Sequence, residues 1–478
     1  MLFSTFDYTL FLPAALLVYW LVRSRGRDGL TTLLGLSLLC YGLWNPLEVP
    51  LLVAVVVTAF YGGNWIQKGQ GAGRTRRMWL LILLLFAPLA YYKYGTFILE
   101  NLAGLIGLVG LDWGSIATGE AESESVRLPI GISFFTFQAV AYVVDVAKGM
   151  EVERSFKRFA LFLSFFPQLV AGPIVRAQEL LPQLKVPKLL RRDDVSEGLY
   201  RIAVGFIKKL LIADILGAQM VDSAFVDPSA FSSLELMIAL YAYTLQIYCD
   251  FSGYTDIAIG SGLLFGIKLP ENFRRPYKAT SVAGFWRRWH ITLSLWLRHY
   301  VYFPLGGSQR HTLVVYRNIF LTLIGIGLWH GADWAFVLYG VLHGAAVCVN
   351  RFLKRRGGPD PDDPLPNAWA WFWRFFLTFH FVVLARILFR AGELDLAWRF
   401  WDSLTNLTIT PPRYRMTPWL VMLIGYAVHF SPDRLSSAVR NYFVRSPWWL
   451  QGLALLAIGV ACSLMGTVKD QGFIYFEF

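Results

Sequence analysis

The chain has 478 residues, of which 56% are hydrophobic and 16% are charged, and its mean hydropathy is +0.48. A soluble domain of this size could not bury so much apolar surface, so the composition excludes a soluble enzyme and predicts a polytopic membrane protein. The net charge of +12 does not indicate nucleic-acid binding, because the lysines and arginines lie in short gaps between apolar runs.

The first apolar runs cover residues 8–22, 30–44 and 49–61, and basic sequence follows the first and the third of them. The N-terminus lacks the features of a cleaved signal peptide, so residues 8–22 are interpreted as the first span. Two crossings separate the two basic loops. Both loops can therefore be cytoplasmic under the positive-inside rule, which places the N-terminus outside.

Several later runs are interrupted by helix-breaking or polar residues. Residues 79–111 contain Pro88 and the polar sequence YYKYG, which predicts two short spans or one span and a re-entrant piece. Residues 128–146 predict another span, whereas residues 159–175 contain Pro167. Such breaks are tolerated at membrane depth only where other protein or a cavity satisfies the freed backbone groups.

Residues 195–220 and 233–266 are long apolar runs, and the second contains Asp250 and Asp256. A carboxylate in lipid is costly, so both are predicted to face the interior of the helix bundle or a polar cavity. Small residues in the same run predict that a neighbouring helix packs closely against it. These small residues are Ser252, Gly253, Gly260, Ser261 and Gly262.

Residues 285–344 hold two histidines, His290 and His330, in aromatic and strongly apolar surroundings. The sequence reads FWRRWHITLSLWLRHYVYFPLGG and, after a polar connection, NIFLTLIGIGLWHGADWAFVLYGVLHG. An ionisable side chain at membrane depth is costly, so its first interpretation is functional. With later apolar runs at about 369–389, 419–429 and 449–463, we expect about ten to thirteen crossings in all.

No motif of a soluble enzyme accompanies these histidines: the sequence has no GxSxG, no Walker A loop and no HExxH. His299 is nine positions after His290, which places the two on opposite faces of a helix. The four cysteines also stand apart from one another in the sequence. No metal site is therefore expected. A buried neutral imidazole can instead take a proton from a hydroxyl and return it to a leaving group. The alternative is that each histidine only hydrogen-bonds a neighbouring helix, which suits His380 and His429.

The two histidine segments resemble the signature regions of the membrane-bound O-acyltransferase family, in the bacterial branch of alginate O-acetyltransferases. Other segments also resemble that branch: LPIGISFFTFQAVAYVVDV, FPQLVAGPIVR, YCDFSGYTDIAIGSG, PENFRRPY and the terminal GFIYFEF. The resemblance implies one integral membrane domain over residues 1–478 with a catalytic core at about 127–350. It also implies a ring of helices around a central tunnel, where a funnel from each side of the membrane meets a thin centre.

The resemblance implies two catalytic residues, His330 in the WHG triplet as general base and His290 as the residue that positions or polarises a thioester. Residues expected to contact substrate surround them: Trp286, Arg287, Arg288, Trp289, Trp329 and Asp333. The basic cluster, Arg274, Arg275, Lys278, Arg287 and Arg288, could attract the phosphates of a donor, or be an ordinary cytoplasmic loop.

The activity that the resemblance implies is transfer of an acyl group, most plausibly acetyl, from a cytoplasmic thioester to hydroxyls of an exported polysaccharide such as alginate. No cofactor is expected to be bound, and acetyl-CoA or another acyl thioester would be the donor. The expected partners are an extracytoplasmic acyltransferase or esterase-like protein and the polysaccharide, and the expected location is the bacterial inner membrane. Two alternatives remain open, D-alanyl transfer to teichoic acid and a transporter without covalent chemistry.

Overall fold

The computed structural model of the chain describes residues 3, 6–108, 127–186, 190–357, 367–465 and 472–474. Within these ranges the regular structure is helical and contains no strand. Six of the helices are long and apolar enough to cross a membrane, and three shorter ones are also apolar. The prediction of an all-α polytopic membrane protein is confirmed, whereas the total of ten to thirteen crossings stays a prediction.

The chain divides into two compact units, one built from residues 17–186 and the other from residues 2–16 and 187–478. Among the described residues, the first unit contains the second part of α1 (Phe6–Ser24), from residue 17 onward, and eight further helices. These helices are α2 (Gly29–Trp44), α3 (Val49–Gln67), α4 (Gly71–Leu89), α5 (Gly95–Gly107), α6 (Ile132–Ala147), α7 (Phe156–Ser164), α8 (Phe166–Leu169) and α9 (Ala177–Lys185). The prediction that the whole chain acts as one domain stays a prediction.

In the first unit, α4 and α5 are joined through a π-helical turn at Ala90–Tyr94 and form one continuous helix from Gly71 to Gly107. The sequence predicts a break here, because Pro88 cannot donate a backbone hydrogen bond and YYKYG is polar. The structure differs because a π-turn changes the hydrogen-bond register without ending the helix. The end of the predicted run, residues 109–111, lies outside the described residues.

The second unit contains thirteen helices among the described residues. They are α10 (Arg192–Phe206), α11 (Asp214–Leu216), α12 (Asp222–Val226), α13 (Ser233–Leu264), α14 (Val282–Trp286), α15 (Ile291–Leu297), α16 (Thr312–His330), α17 (Trp334–Arg355), α18 (Ala368–Ala391), α19 (Leu394–Thr405), α20 (Met416–Phe430), α21 (Asp433–Arg445) and α22 (Trp448–Met465). Two π-helical turns, Ile207–Ala213 and Gly217–Val221, separate α10, α11 and α12.

Helix α13 forms the buried axis of the second unit, since nearly all of its 32 residues are buried. A capping box starts it: the Ser232 hydroxyl accepts from the backbone of Glu235, whose carboxylate accepts from the backbone of Ser232. A side chain at Gly253 or Gly260 would meet the backbone of α10. The predicted small-residue surface of this run is therefore the contact between α10 and α13.

Asp250 and Asp256 on α13 are buried, as the sequence predicts, and each is paired with a cation. Asp256 accepts from Arg201 at 2.7 Å and from Lys208 at 2.6 Å, and both of these cations lie on the α10 side. Asp250 lies 2.7 Å from Lys209, which is also 2.8 Å from Asp214. A buried charge is stable only when it is paired in this way.

Helices α16 and α17 form a tight hairpin whose apex carries His330. Gly327 on α16 packs against the backbone of Phe336, and Gly340 on α17 packs against the backbone at Ile324. Neither position has room for a side chain. Close contact between small residues fixes the crossing of the two helices and thereby the location of the apex.

Candidate active site: a buried histidine pair

His290 lies between the short helices α14 and α15, and its side chain is fully buried. Its backbone is left-handed, with φ 43° and ψ 54°. This conformation is uncommon for a residue with a side chain and costs about 1–3 kcal/mol. Such strain persists where the surroundings determine the conformation, and it is frequent at functional sites.

Asn272 fixes the orientation and the protonation of the His290 ring. Its Oδ1 accepts from the backbone N–H of Thr292 at 3.1 Å and from the Thr292 hydroxyl at 3.0 Å, and it lies 3.3 Å from His290 Nδ1. A backbone N–H can only donate, so this atom of Asn272 is the amide oxygen. His290 Nδ1 must therefore carry the hydrogen, which leaves the lone pair on Nε2.

We expect Asn272→Ala to lower acyl transfer by roughly 10- to 100-fold, because it removes the acceptor that holds His290 and leaves buried donors unsatisfied, at about 1–3 kcal/mol. Asn272→Asp keeps an acceptor oxygen and should retain clearly more activity than Asn272→Ala. Steady-state rates of the two variants, measured beside their thermal unfolding, check this. Equal rates for both variants would show that the side chain acts only in packing.

His330 is the last residue of α16 and is 2% exposed. Its ring centroid lies 6.4 Å from that of His290, at an interplanar angle of 57°. The next residue, Gly331, has no space for a side chain, because a Cβ would overlap the ring of Phe336. The structure thus brings together two histidines that are 40 positions apart in the sequence.

Three of the predicted contact residues are tryptophans, and Trp329 is the one that the structure shows in contact with the pair. The Trp329 ring lies edge-on to both histidines, with centroids 5.3 Å from His290 and 5.1 Å from His330. Trp289 stacks on Phe285 and is 1% exposed. Trp286 donates from Nε1 to His343 Nδ1 at 3.2 Å. All three tryptophans are buried, and Trp329 covers an edge of each histidine ring.

The other predicted contact residues lie away from the histidine rings. Asp333 caps α17, where its carboxylate accepts from the backbone of Ala335 at 2.7 Å. Arg287 is exposed and Arg288 is half-buried. A role for these three in substrate contact therefore stays a prediction, and for Asp333 the observed contact is a helix cap.

The basic cluster is divided between structural and exposed positions. Lys278 and Arg275 both bind Asp433 and the backbone oxygen of Ser431, which lies at the C-terminal end of α20. Cations are favourable at this end of a helix. The hydrogen bond from Lys278, with the charge of Arg275, holds the pKa of Asp433 below its usual range. Arg274 is exposed, like Arg287.

Arg386 on α18 was not anticipated from the sequence. Its side chain is fully buried, and its guanidinium lies 4.4 Å from the centre of the Trp289 ring and 5.4 Å from that of Phe389. Phe389 in turn contacts the His330 ring at 4.9 Å. Arg386 is one of two arginines in the apolar run 369–389, the other being Arg374, and this was the available signal, since a charge at membrane depth is rarely without a role.

His380, which is half-buried, and His429, which is buried, each contact another segment. His380 Nδ1 donates to Phe376 O, and its Nε2 accepts from the Tyr241 hydroxyl on α13 at 2.8 Å. His429 Nε2 accepts from the backbone of Tyr277 at 3.3 Å. The interpretation of His380 and His429 as packing residues agrees with these bonds.

Residues 152–384 match the family model described as MBOAT, membrane-bound O-acyltransferase family. The chain is 36% identical over 429 residues to a peptidoglycan O-acetyltransferase of Helicobacter pylori, a match that covers 83% of this chain and 78% of that relative.

Two further relatives differ from each other in their identity to this chain and in how much of it they match. A "probable alginate O-acetylase AlgI" of Azotobacter vinelandii is 37% identical over 400 residues, covering 83% of this chain and 76% of the relative. A teichoic acid D-alanyltransferase of Bacillus subtilis is 29% identical over 272 residues, covering 54% of this chain and 68% of the relative. The similarity to the two O-acetyl-transferring relatives is thus higher and extends further along the chain.

Proposed function

Because the chain belongs to the membrane-bound O-acyltransferase family and is an O-acyltransferase, we propose that it takes an acetyl group from a cytoplasmic thioester and passes it toward hydroxyls of an exported polysaccharide. The observation that supports this most directly is the buried pair of His290 and His330. Two buried imidazoles 6.4 Å apart, both in contact with Trp329, suit a proton transfer from which bulk water is excluded.

The proposed reaction needs one base and no bound cofactor. His330 takes the proton from the acceptor hydroxyl, whose oxygen forms a bond to the carbonyl carbon of the thioester. The bond between this carbon and the sulfur then breaks, and His330 returns the proton to the departing thiolate. The products are an ester and a thiol, and His330 is neutral again.

The position of the hydrogen on the His290 ring limits the roles that this residue can have in the proposed reaction. With Nδ1–H directed at Asn272, Nε2 can accept a hydrogen bond but cannot donate one to a carbonyl oxygen. His290 is therefore suited to positioning the attacking hydroxyl. Of the two roles expected for it, positioning is the one that agrees with Asn272, and polarising the thioester would require a second proton on the ring.

We expect His290→Asn to fold normally and to lower transfer by roughly 10- to 100-fold, which is less than the loss from replacing His330. Asparagine tolerates the left-handed backbone of this position, whereas alanine does not. His290→Ala should therefore unfold at a lower temperature than His290→Asn. Initial rates and thermal unfolding of both variants check this, and full activity of His290→Asn would exclude the positioning role.

The donor, the partner and the location complete the proposal. Acetyl-CoA or another acyl thioester would approach from the cytoplasm, while an extracytoplasmic acyltransferase or esterase-like protein would receive or complete the transfer. The chain would lie in the bacterial inner membrane. D-alanyl transfer is the less favoured alternative, because the D-alanyltransferase relative shares lower identity over a shorter part of the chain.

The experiment that tests the proposal uses the full-length protein in lipid vesicles with radiolabelled acetyl-CoA. Release of free CoA and appearance of labelled ester, with and without the candidate partner, identify the donor and the order of transfer. A D-alanyl carrier protein is supplied in parallel. No reaction with acetyl-CoA but transfer from the D-alanyl carrier would replace the proposed donor.

A further inference from the structure

A small polar cavity, partly open to its surroundings, lies in the second unit and is lined by residues other than the histidine pair. It is lined by side chains of Lys209, Asp214, Asp222, Gln246, Asp250 and Arg390, together with Gly472 and Ile474. Its enclosed part has about the size of one water molecule. A single hydroxyl group could occupy that part without displacement of the side chains.

Gln246 on α13 is directed into this cavity and has unused hydrogen-bonding capacity. The residue is 6% exposed, and its Oε1 has no hydrogen-bond partner among the residues that the structure describes. The amide end approaches Gly217 so closely that a Cβ there would lie 2.5 Å from Nε2. A buried amide oxygen without a partner costs about 1–3 kcal/mol, so a donor is expected to reach it.

The other polar groups of the cavity are paired with one another. Asp222 accepts from Arg390 at 3.1 Å, and Lys209 lies between Asp214 and Asp250. Lys209 also donates to Gly472 O, and Asp250 accepts from the backbone N–H of Ile474, both at 3.1 Å. These contacts hold the walls in place around Gln246.

Two aromatic residues link the cavity wall to the histidine pair along the chain. Asp250 precedes Phe251, whose ring lies edge-on to His290 with centroids 4.8 Å apart. Arg390 follows Phe389, whose ring lies 4.9 Å from that of His330. Residues of the cavity wall are thus chain neighbours of the rings that contact the two histidines.

The charges along α17 and α18 indicate which side of the membrane the cavity faces. Lys354 and Arg355 end α17, and Arg356 follows them, so the positive-inside rule places the connection to α18 in the cytoplasm. Helix α18 is long enough to cross the membrane, and Arg390 lies at its opposite end. The cavity therefore lies toward the outer end of α18, the side from which an exported acceptor would arrive.

The charge balance of the cavity limits what it can bind. Its lining has three carboxylates, Asp214, Asp222 and Asp250, against the two cations Lys209 and Arg390. An excess carboxylate repels a ligand that itself carries a carboxylate or a phosphate. A neutral hydroxyl can donate to Gln246 without this repulsion.

We propose that the Gln246 cavity is part of the acceptor site and receives a hydroxyl of a neutral sugar in preference to a uronate of the kind that alginate contains. The proposal rests on the proposed function, since it concerns the acceptor of the same reaction. A sugar held by one hydroxyl at Gln246 would present another hydroxyl toward the histidine pair.

The test measures binding in the absence of turnover. His330→Ala protein in lipid nanodiscs is titrated with cellotetraose, a neutral probe, and with tetramannuronate, an acidic probe of equal length. We expect cellotetraose to bind at least about tenfold more tightly than tetramannuronate. Adding Gln246→Leu should weaken cellotetraose binding by about tenfold, because it removes the buried acceptor.

Gln138→Leu provides a matched control. Gln138 on α6 is also buried, and its Oε1 also has no partner among the described residues, but it does not line the cavity. This change should leave cellotetraose binding as it is. Equal binding of both probes, absence of binding, or unchanged affinity in Gln246→Leu would overturn the inference.

Different experimental results would contradict the inference about the acceptor and the proposed function. If the single variant His330→Ala still transfers acyl groups, the proposed function fails whatever the sugar titrations show. If His330→Ala abolishes transfer but Gln246→Leu binds cellotetraose normally, only the inference about the acceptor fails.

Discussion

His330→Ala is expected to lower acyl transfer by on the order of 10²- to 10⁴-fold, the usual contribution of a general base. His343 cannot replace it, because its Nδ1 already accepts from Trp286 and its Nε2 then carries the hydrogen. Because His330 lies at the end of α16 and not within a helix crossing, the hairpin should still form. The measurement is release of CoA from labelled acetyl-CoA in lipid vesicles.

His299→Ala is the control for this change. His299 lies outside the pair, and its Nδ1 donates to the carbonyl of Leu295 in its own helical turn at 2.7 Å. It should transfer acyl groups at the rate of the unaltered protein. If His330→Ala is folded, as judged by size-exclusion chromatography and thermal unfolding, and keeps full activity, the assignment of the base is wrong.

Gly327→Ala is expected to lower transfer by about 100-fold or more and to reduce thermal stability. A Cβ at this position would overlap the backbone oxygen of Phe336, so α16 and α17 must move apart. Such overpacking costs about 1–3 kcal/mol, and a shift of about 1 Å in a catalytic group can lower a rate about 100-fold. His330 is three residues further along α16 and would move with the helix.

Gly325→Ala is a matched control on the same helix. A Cβ at Gly325 would meet only Leu297 at 3.7 Å, an ordinary van der Waals distance. Alanine is also favoured over glycine in a helix by about 1 kcal/mol, so stability should be unchanged or slightly higher. Similar rates and unfolding temperatures for the two alanine variants would show that the hairpin does not depend on close packing at Gly327.

The sequence predicts the class of fold well because hydropathy is a local property. Runs of apolar residues identify helices such as α3, α17 and α18, and the glycines of α13 indicate a close helix contact. The break expected near Pro88 did not occur. A π-turn can keep a helix continuous past a proline, and its formation depends on contacts that composition does not encode.

The candidate site likewise has residues that the sequence predicts and residues that only the structure reveals. His290 and His330 could be selected from the sequence because a histidine in an apolar run is rare, and the resemblance ranked them. Asn272, Arg386 and Gln246 were not selected, since each acts through a neighbour that is distant in the sequence. Arg287 and Arg288 were selected by their closeness to His290 along the chain, but their side chains lie at or near the surface.

The sequence by itself therefore determined an all-α membrane protein, its family and the two histidines with which any mechanism must begin. Only the tertiary structure decided that the histidine rings lie 6.4 Å apart and that Asn272 fixes the hydrogen of one of them. The physical reason is that hydropathy and residue type act locally, whereas the protonation and position of a buried group depend on atoms that folding brings together.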